Sequence, residues 1–330
     1  MQKTLSVINL TAIRNNARFV RSLIKNRFFW AVVKADAYGH GAAEVSREIS
    51  DIADGFCVAL IDEGAELRIN GITKPVLVLA PPLSKADAEK AAFYNLTLTA
   101  SDENSARLIG NTPCHVAVNT GMNRYGCHGK QLERVLDIIP RGNVSGAYSH
   151  LYAAANALHS QRQLTSFLAA AAKIKEHSPS SYPHIAASGG ILKGGEYLCD
   201  GVRCGLMLYG YAPAGFKCAS LTPALKVYAR LSGETDVIGG GVGYNVADRK
   251  YSKLYTYRLG YADGFRRGVP LGEKTLCMDA FISTVRRPLM PVMTNAEEYA
   301  KRCGTISYEV LCSVTKRSER VYERVAEIQI

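Results

Sequence analysis

A chain of 330 residues with 47% hydrophobic content can bury a sizeable core, and its length suggests about two domains. Several function classes drop out early. The first thirty residues carry Lys3, Arg14, Arg18, Arg21, Lys25 and Arg27, so they lack the apolar centre of a secretory signal, and no later run is apolar for long enough to span a bilayer. Nine cysteines include no CxxC pair, which argues for reduced thiols rather than a disulfide framework or a metal site. The net charge of +11 is spread over short doublets such as Arg266-Arg267 and Arg286-Arg287, outside any nucleic-acid-binding motif. A cytoplasmic protein is expected, with no metal, nucleic-acid or membrane partner.

Short apolar runs alternate with helical patterns through the first two thirds of the chain, the signature of βα units on a parallel sheet. A leading helix fits 10–26, where Ile13, Ala17, Val20, Leu23 and Ile24 recur at helical spacing. Strands are predicted at 30–34, 55–60, 75–80, 96–100, 114–119, 144–150, 184–188 and 202–208. Helices are predicted between most of them, at 42–52, 62–69, 85–94, 102–109, 131–139 and 161–177, with Asp102 as an N-cap. Eight such strands are the count of an α/β TIM (β/α)8 barrel, here assigned to 1–222. Beyond about Thr222 the pattern changes to strands at 227–231, 253–259, 281–284 and 310–314 with a helix at 295–302, and 223–330 is read as a smaller, mainly β domain.

Barrel enzymes carry their sites at the carboxyl ends of the strands. Lys34 ends the first predicted strand and His150 the sixth. The seventh runs from His184 to the turn Ser188-Gly189-Gly190, and the eighth carries Arg203 and then Gly205. Taken singly each is bland: a strand-end lysine is ordinarily a solvated charge, and Arg203 could simply pair with Asp200. Together they put a lysine, two histidines, an arginine and a glycine-rich turn at one mouth. Loops after the last two strands commonly bind phosphate, and a lysine opposite them suits a Schiff base with a phosphorylated aldehyde.

The segment AVVKADAYGHG around Lys34 resembles the pyridoxal phosphate (PLP) lysine signature of the alanine racemase family. The resemblance extends along the chain, through INLTAIRNN, NTGMNRYG at Asn119, AYSHL at His150, HIAASGG at His184, VRCGLMLYG at Arg203, GYADGF at Tyr261, CMD at Cys277 and GTISYEVLCSV at Gly304. It implies that Lys34 holds PLP and serves as base on the D face, and that Tyr261 of the partner subunit is the base on the L face. Tyr38, Ser188, Gly205, Leu206 and Tyr308 would contact the phosphate. Arg203 would hydrogen-bond the pyridine nitrogen, with His184 and His150 supporting it. Arg124 and the partner's Met278 backbone would receive the substrate carboxylate, and Asp279 would line the entrance. A homodimer with shared active sites follows from that arrangement.

Racemisation removes a proton from Cα on one face and returns one on the other, which two opposed bases accomplish. The chain departs from the family pattern in two places. Ala117 and Asn119 stand where many members carry a modified lysine and an acidic residue, so the usual brace of Arg124 is missing. Tyr261, Met278 and Tyr308 are also closer in sequence than is usual, which implies a shortened β domain lacking a gateway tyrosine, a wider entrance and looser substrate choice; Ala280 replaces a common glutamine. The expectation is an alanine racemase that supplies D-alanine for peptidoglycan. The alternatives are a serine or broad-specificity racemase and a non-catalytic PLP-binding protein.

Overall fold

A computed structural model describes residues 4–246, 251–267 and 275–324. The chain divides into two compact units, one of 13–37 with 41–222 and the other of 1–12, 38–40 and 223–330. Strand β1 (Leu5–Asn9) belongs to the second unit and leads into helix α1 (Leu10–Ile24). On α1 the predicted stripe is the buried face: Ile13, Ala17, Val20 and Ile24 are fully covered, while Leu23 is partly exposed.

Eight parallel strands make the barrel: β2 (Phe28–Val32), β3 (Gly55–Val58), β4 (Val76–Val78), β5 (Leu98–Ala100), β6 (Cys114–Ala117), β7 (Val144–Tyr148), β8 (Tyr182–His184) and β9 (Gly201–Cys204). They fall into two four-stranded sheets, β4-β3-β2-β9 and β5-β6-β7-β8. The ring closes at both seams through backbone hydrogen bonds, Val78 N to Thr97 O (2.9 Å) on one side and Arg203 N to Ala186 O (2.8 Å) on the other. Between the strands run α2 (Lys34–Tyr38), α3 (Ala42–Glu48), α4 (Ile61–Ile69), α5 (Lys85–Phe93), α6 (Glu103–Ile109), α7 (Gly129–Ile138), α8 (Ala157–His177) and α9 (Ser188–Lys193). Asp102 caps α6 as expected, accepting from Ser105 N at 2.8 Å. The buried Asn16 of α1 ties the end of the barrel together, since its side chain bonds the carbonyls of Leu208 and Thr222 and accepts from Thr222 N.

The β-rich unit is one seven-stranded sheet, made of β1, β10 (Leu225–Asp236), β13 (Lys253–Arg258), β14 (Thr275–Leu276), β15 (Ala280–Ser283), β16 (Leu289–Met293) and β17 (Glu319–Glu323). A small hairpin, β11 (Gly241–Val242) with β12 (Asn245–Val246), and helices α10 (Ala296–Cys303) and α11 (Ser307–Ser313) complete it. β1 pairs antiparallel with β10 (Leu5 opposite Tyr228) and parallel with β17 (Leu5 opposite Glu319).

Three element predictions need correction. The strand expected at 310–314 is part of α11. Ser307, Val310, Leu311 and Val314 are the buried positions, a spacing of three and four that fits a helix, whereas the β-branched composition of the run suggested a strand. The strand expected at 184–188 lies earlier: Tyr182–His184 pairs with β7 (Tyr148 opposite His184), and Ser188 instead opens α9. Strand 202–208 likewise stops at Cys204, followed by a 3-10 turn over Leu206–Tyr209.

Candidate active site

Lys34 stands two residues past the end of β2, and the four residues after it adopt an unusual backbone. Ala35, Asp36, Ala37 and Tyr38 all lie in the left-handed region, with φ between 51° and 53°. L-residues enter this region at a cost of roughly 1–2 kcal/mol each, so the turn must be held from outside. Glu63 accepts from Ala35 N (2.7 Å), and Asp36 accepts from Ala42 N with its carboxylate (2.8 Å) and from Gly41 N with its carbonyl (3.0 Å). Tyr38, at the far end of the turn, is buried and its ring lies 5.8 Å from that of Tyr308. Next to it Gly39 (φ +82°) approaches α11 so closely that a Cβ there would stand 2.5 Å from Leu311 O.

The Lys34 amine is half-buried and makes no hydrogen bond or ion pair among the described residues. Burial, reinforced by the positive charges of Arg124 and Arg203, lowers its pKa. Arg203 is 4% exposed, and among the described residues no carboxylate faces it. Asp200, the partner a bland reading would give it, is not one. Instead its guanidinium donates to His184 Nδ1 (2.7 Å), His184 O (2.6 Å) and Ser149 O (2.5 Å), and lies over the Tyr148 ring at 4.9 Å. Three of its five N–H donors are thereby used, all on neutral acceptors, and its charge stays uncompensated.

His184 is fully buried, and its pKa falls well below the ordinary imidazole range through burial and then the charge of Arg203. His150 follows β7, its carbonyl held by the buried Gln163 at 2.9 Å; burial, then Arg203 and Arg124, bring its ring down to about 3. Ser188 begins α9, its hydroxyl accepting from Met207 N at 3.4 Å, and Gly205 precedes the Leu206–Tyr209 turn. Gly189 leaves the backbone of this turn close-packed, since a Cβ would meet Ala154 at 2.6 Å. Arg124 is exposed and without a partner among the described residues. Asn119 does not replace the missing lysine, because its side chain serves its own loop, accepting from Gly121 N (3.0 Å) and Asn123 N (3.2 Å).

The β-rich unit assembles a second group. Tyr261 opens a 3-10 turn whose backbone is bonded to the CMD segment, Tyr261 N to Cys277 O (3.1 Å) and Ala262 N to Met278 O (3.0 Å). Asp263 fixes the turn by accepting from Gly260 N (2.8 Å), and Arg317 reaches both Asp263 and Asp279. Tyr38 and Tyr308 meet in the same unit.

The sequence reading missed His115 on β6. Its Nδ1 lies 2.8 Å from His184 Nε2, and it is as buried as the core around it. The available signal was a histidine inside a fully apolar strand, CHVA, which on its own reads as a satisfied core residue.

PLP needs an amine that loses its proton readily and fixed positive donors for its charged and ring atoms. The unbonded Lys34 amine and the uncompensated Arg203 meet that requirement, so the residues present fit the group. Such a mouth on an α/β barrel is the framework of a lysine-dependent barrel enzyme.

The family profile described as "Alanine racemase, N-terminal domain" matches residues 8–213. An alanine racemase of Carboxydothermus hydrogenoformans is 33% identical over 98% of this chain and 100% of its own. One from Cutibacterium acnes is 31% identical over 96% and 97%. Among solved structures, an alanine racemase of Clostridium difficile superposes with a TM-score of 0.87 at 27% identity, covering 98% of this chain and 96% of the other. That of Bartonella henselae, described with covalently bound pyridoxal phosphate, has a TM-score of 0.83 at 25% identity over 98% and 100%. The chain belongs to the alanine racemase family, whose members are PLP-dependent isomerases. The Carboxydothermus alignment spans 370 positions against the 330 residues here, so that relative carries residues this chain lacks.

Proposed function

We propose that this protein interconverts L- and D-alanine by a two-base mechanism, acting as a cytoplasmic homodimer that supplies D-alanine for peptidoglycan. The observation that carries the reading is the placing, on the adjacent strands β2 and β9 and the turn after β2, of the unbonded Lys34 amine and the buried, uncompensated Arg203. Nine free cysteines support a reducing compartment, and among the described residues no helix is long and apolar enough to cross a membrane.

Lys34, Arg203, Ser188, Gly205, Leu206, Tyr38 and Tyr308 would hold pyridoxal phosphate, with His184 and His150 supporting Arg203. The chemistry that cofactor supplies when bound is acidification of the substrate's Cα–H bond. Lys34 takes or returns the proton on the D face, because its lowered pKa leaves more neutral amine near neutral pH than an ordinary lysine would have. Tyr261 of the partner subunit does so on the L face. Arg124 and the partner's Met278 backbone receive the substrate carboxylate. Arg203 would donate to the cofactor's ring nitrogen and, as a permanently charged donor, would leave that nitrogen without a proton and hold back side reactions.

Interconversion of D- and L-alanine by the wild type, Lys34→Ala and Tyr261→Phe tests the reading. The wild type is expected to racemise and to show the visible absorbance of a lysine-bound cofactor. Lys34→Ala should lose both, and Tyr261→Phe should keep the absorbance while losing turnover. Cofactor absorbance without racemisation in the wild type would instead identify a PLP-binding carrier. A second reading, racemisation of serine or a broader set of amino acids, is favoured by the residues absent relative to the Carboxydothermus protein; turnover of alanine alone would count against it.

A further inference from the structure

The proton positions around Arg203 can be counted. A guanidinium only donates, so His184 Nδ1, 2.7 Å from Arg203 Nη1, offers a lone pair. A neutral His184 then carries its hydrogen on Nε2, which lies 2.8 Å from His115 Nδ1. His115 must therefore accept there and keep its own hydrogen on Nε2. The reverse assignment, His115 donating through Nδ1, would force the His184 hydrogen onto Nδ1 and against the Arg203 donor. Only one neutral arrangement satisfies both contacts.

We propose that His115 is a positioning residue which, by accepting from His184 Nε2, locks the His184 tautomer and so fixes where Arg203 directs its remaining donors. The proposal rests on the assignment of Arg203 to the cofactor ring. Geometry holds His115 for this task. It is 1% exposed, and its ring meets the rings of Trp30 and Tyr182 edge-on at 5.6 and 5.5 Å. Beneath it lies Gly146, where a Cβ would stand 2.7–2.9 Å from three imidazole atoms, so the glycine makes the room that the ring occupies. The groups facing the pair are Arg203, the Tyr148 ring stacked on His184 at 5.5 Å, and the rings of Tyr182 and Trp30. None is an acid, and burial keeps His115 neutral down to about 3. With two neutral imidazoles in place of a carboxylate, Arg203 is held still while its charge remains available to a ligand.

The test is long-range proton–nitrogen NMR of the cofactor-free protein carrying nitrogen-15 histidine, at pH 7.5 and 5.5. In the wild type, His184 and His115 are expected as neutral Nε2–H tautomers at both pH values. His115→Phe keeps an aromatic ring but no acceptor, and should leave His184 with a mixed or Nδ1–H tautomer. His115→Gln presents an acceptor oxygen and should restore the Nε2–H form. Gly146→Ala, which displaces the ring without removing any polar group, should act like His115→Phe. In the loaded enzyme, His115→Phe should lower kcat roughly tenfold with little change in KM, as expected for one lost hydrogen bond at the arginine's support. An Nδ1–H His184 or a protonated His115 in the wild type at pH 7.5 overturns the proposal without any variant having to fold, and so does an unchanged His184 tautomer in His115→Phe. A wild type that shows the expected tautomers but does not racemise would overturn the functional reading and leave the tautomer lock standing.

Discussion

Gly260 precedes Tyr261, and its replacement by alanine tests how tightly the tyrosine is set. The backbone at Gly260 is extended (φ −149°), so alanine meets no conformational penalty there. The obstacle is space. A Cβ would stand 2.1 Å from Met278 O, 2.3 Å from Met278 C and 2.5 Å from Asp279 N, all backbone atoms of the CMD segment. To reach even 3.0 Å from the oxygen, the two segments must part by about 0.9 Å. Parting them strains the hydrogen bonds from Tyr261 N to Cys277 O and from Ala262 N to Met278 O. Overpacking of this kind costs about 1–3 kcal/mol, and a misplacement of about 1 Å at a reacting group can cost about 10²-fold in rate. Gly260→Ala should therefore lose about 10²-fold in alanine racemisation, together with a lower urea midpoint. Gly304→Ala is the control. Its φ of +64° carries backbone strain, but nothing lies within 4 Å of the added methyl, so it should lose stability and keep its rate. Wild-type turnover and stability in Gly260→Ala would refute the claim that this approach fixes Tyr261.

Acid should weaken the fold through the histidines of the barrel core. The unfolded imidazoles bind protons below about pH 6.5, while folded His115 resists protonation to about 3 and His184 lies lower than the ordinary range as well. The unfolded state thus binds more protons across that window, so the histidine contribution is fully present above about pH 6.5 and is lost as pH drops below it. Each of these, and His150, whose ring is likewise brought down to about 3, contributes up to roughly 1.4 kcal/mol per pH unit, so urea unfolding at pH 5.5 should show a loss of roughly 4 kcal/mol relative to pH 7.5; a flat profile would refute it. Tyr257→Phe should cost about 1–3 kcal/mol in the same assay, because the buried hydroxyl donates to Val285 O (2.8 Å) and accepts from Arg287 N (2.7 Å), leaving both unpaired when removed; an unchanged midpoint would mean that water replaces it.

The barrel was legible because each of its strands pairs with a near neighbour in the chain and is buried on both faces, which leaves short apolar runs between helical stripes. β1 was not, since its partners Tyr228 and Glu319 lie far along the sequence and nothing local marks the strand. α11 misled because Val310 and Val314 are strand-favouring types in a short apolar run, while the helical period of its burial shows only in three dimensions. At the site, Lys34, Arg203, His184 and Ser188 were readable as strand-end residues. Their supports were not. Ser149 contributes only a carbonyl, Gln163 reaches back from α8 to another carbonyl, and the role of His115 depends on a contact across the barrel interior. A sequence states residue types at strand ends plainly, but it carries no local trace of backbone acceptors or cross-barrel pairs.

The left-handed turn after Lys34 concentrates backbone strain beside the lysine. Four residues at roughly 1–2 kcal/mol each amount to a sum comparable with the whole net stability of a typical domain, about 5–15 kcal/mol. Tyr38, Gly39 and His40 group with the β-rich unit, where Gly39 packs on Leu311 and Tyr38 on Tyr308. The loop that carries the lysine is thus anchored partly by residues from the last third of the chain. The earlier residues of the turn are held within the barrel unit, by Glu63 on Ala35 N and by the N–H groups of Gly41 and Ala42 on Asp36. Sequence change at Tyr308 or Leu311, far along the chain, therefore bears on a turn that begins next to Lys34.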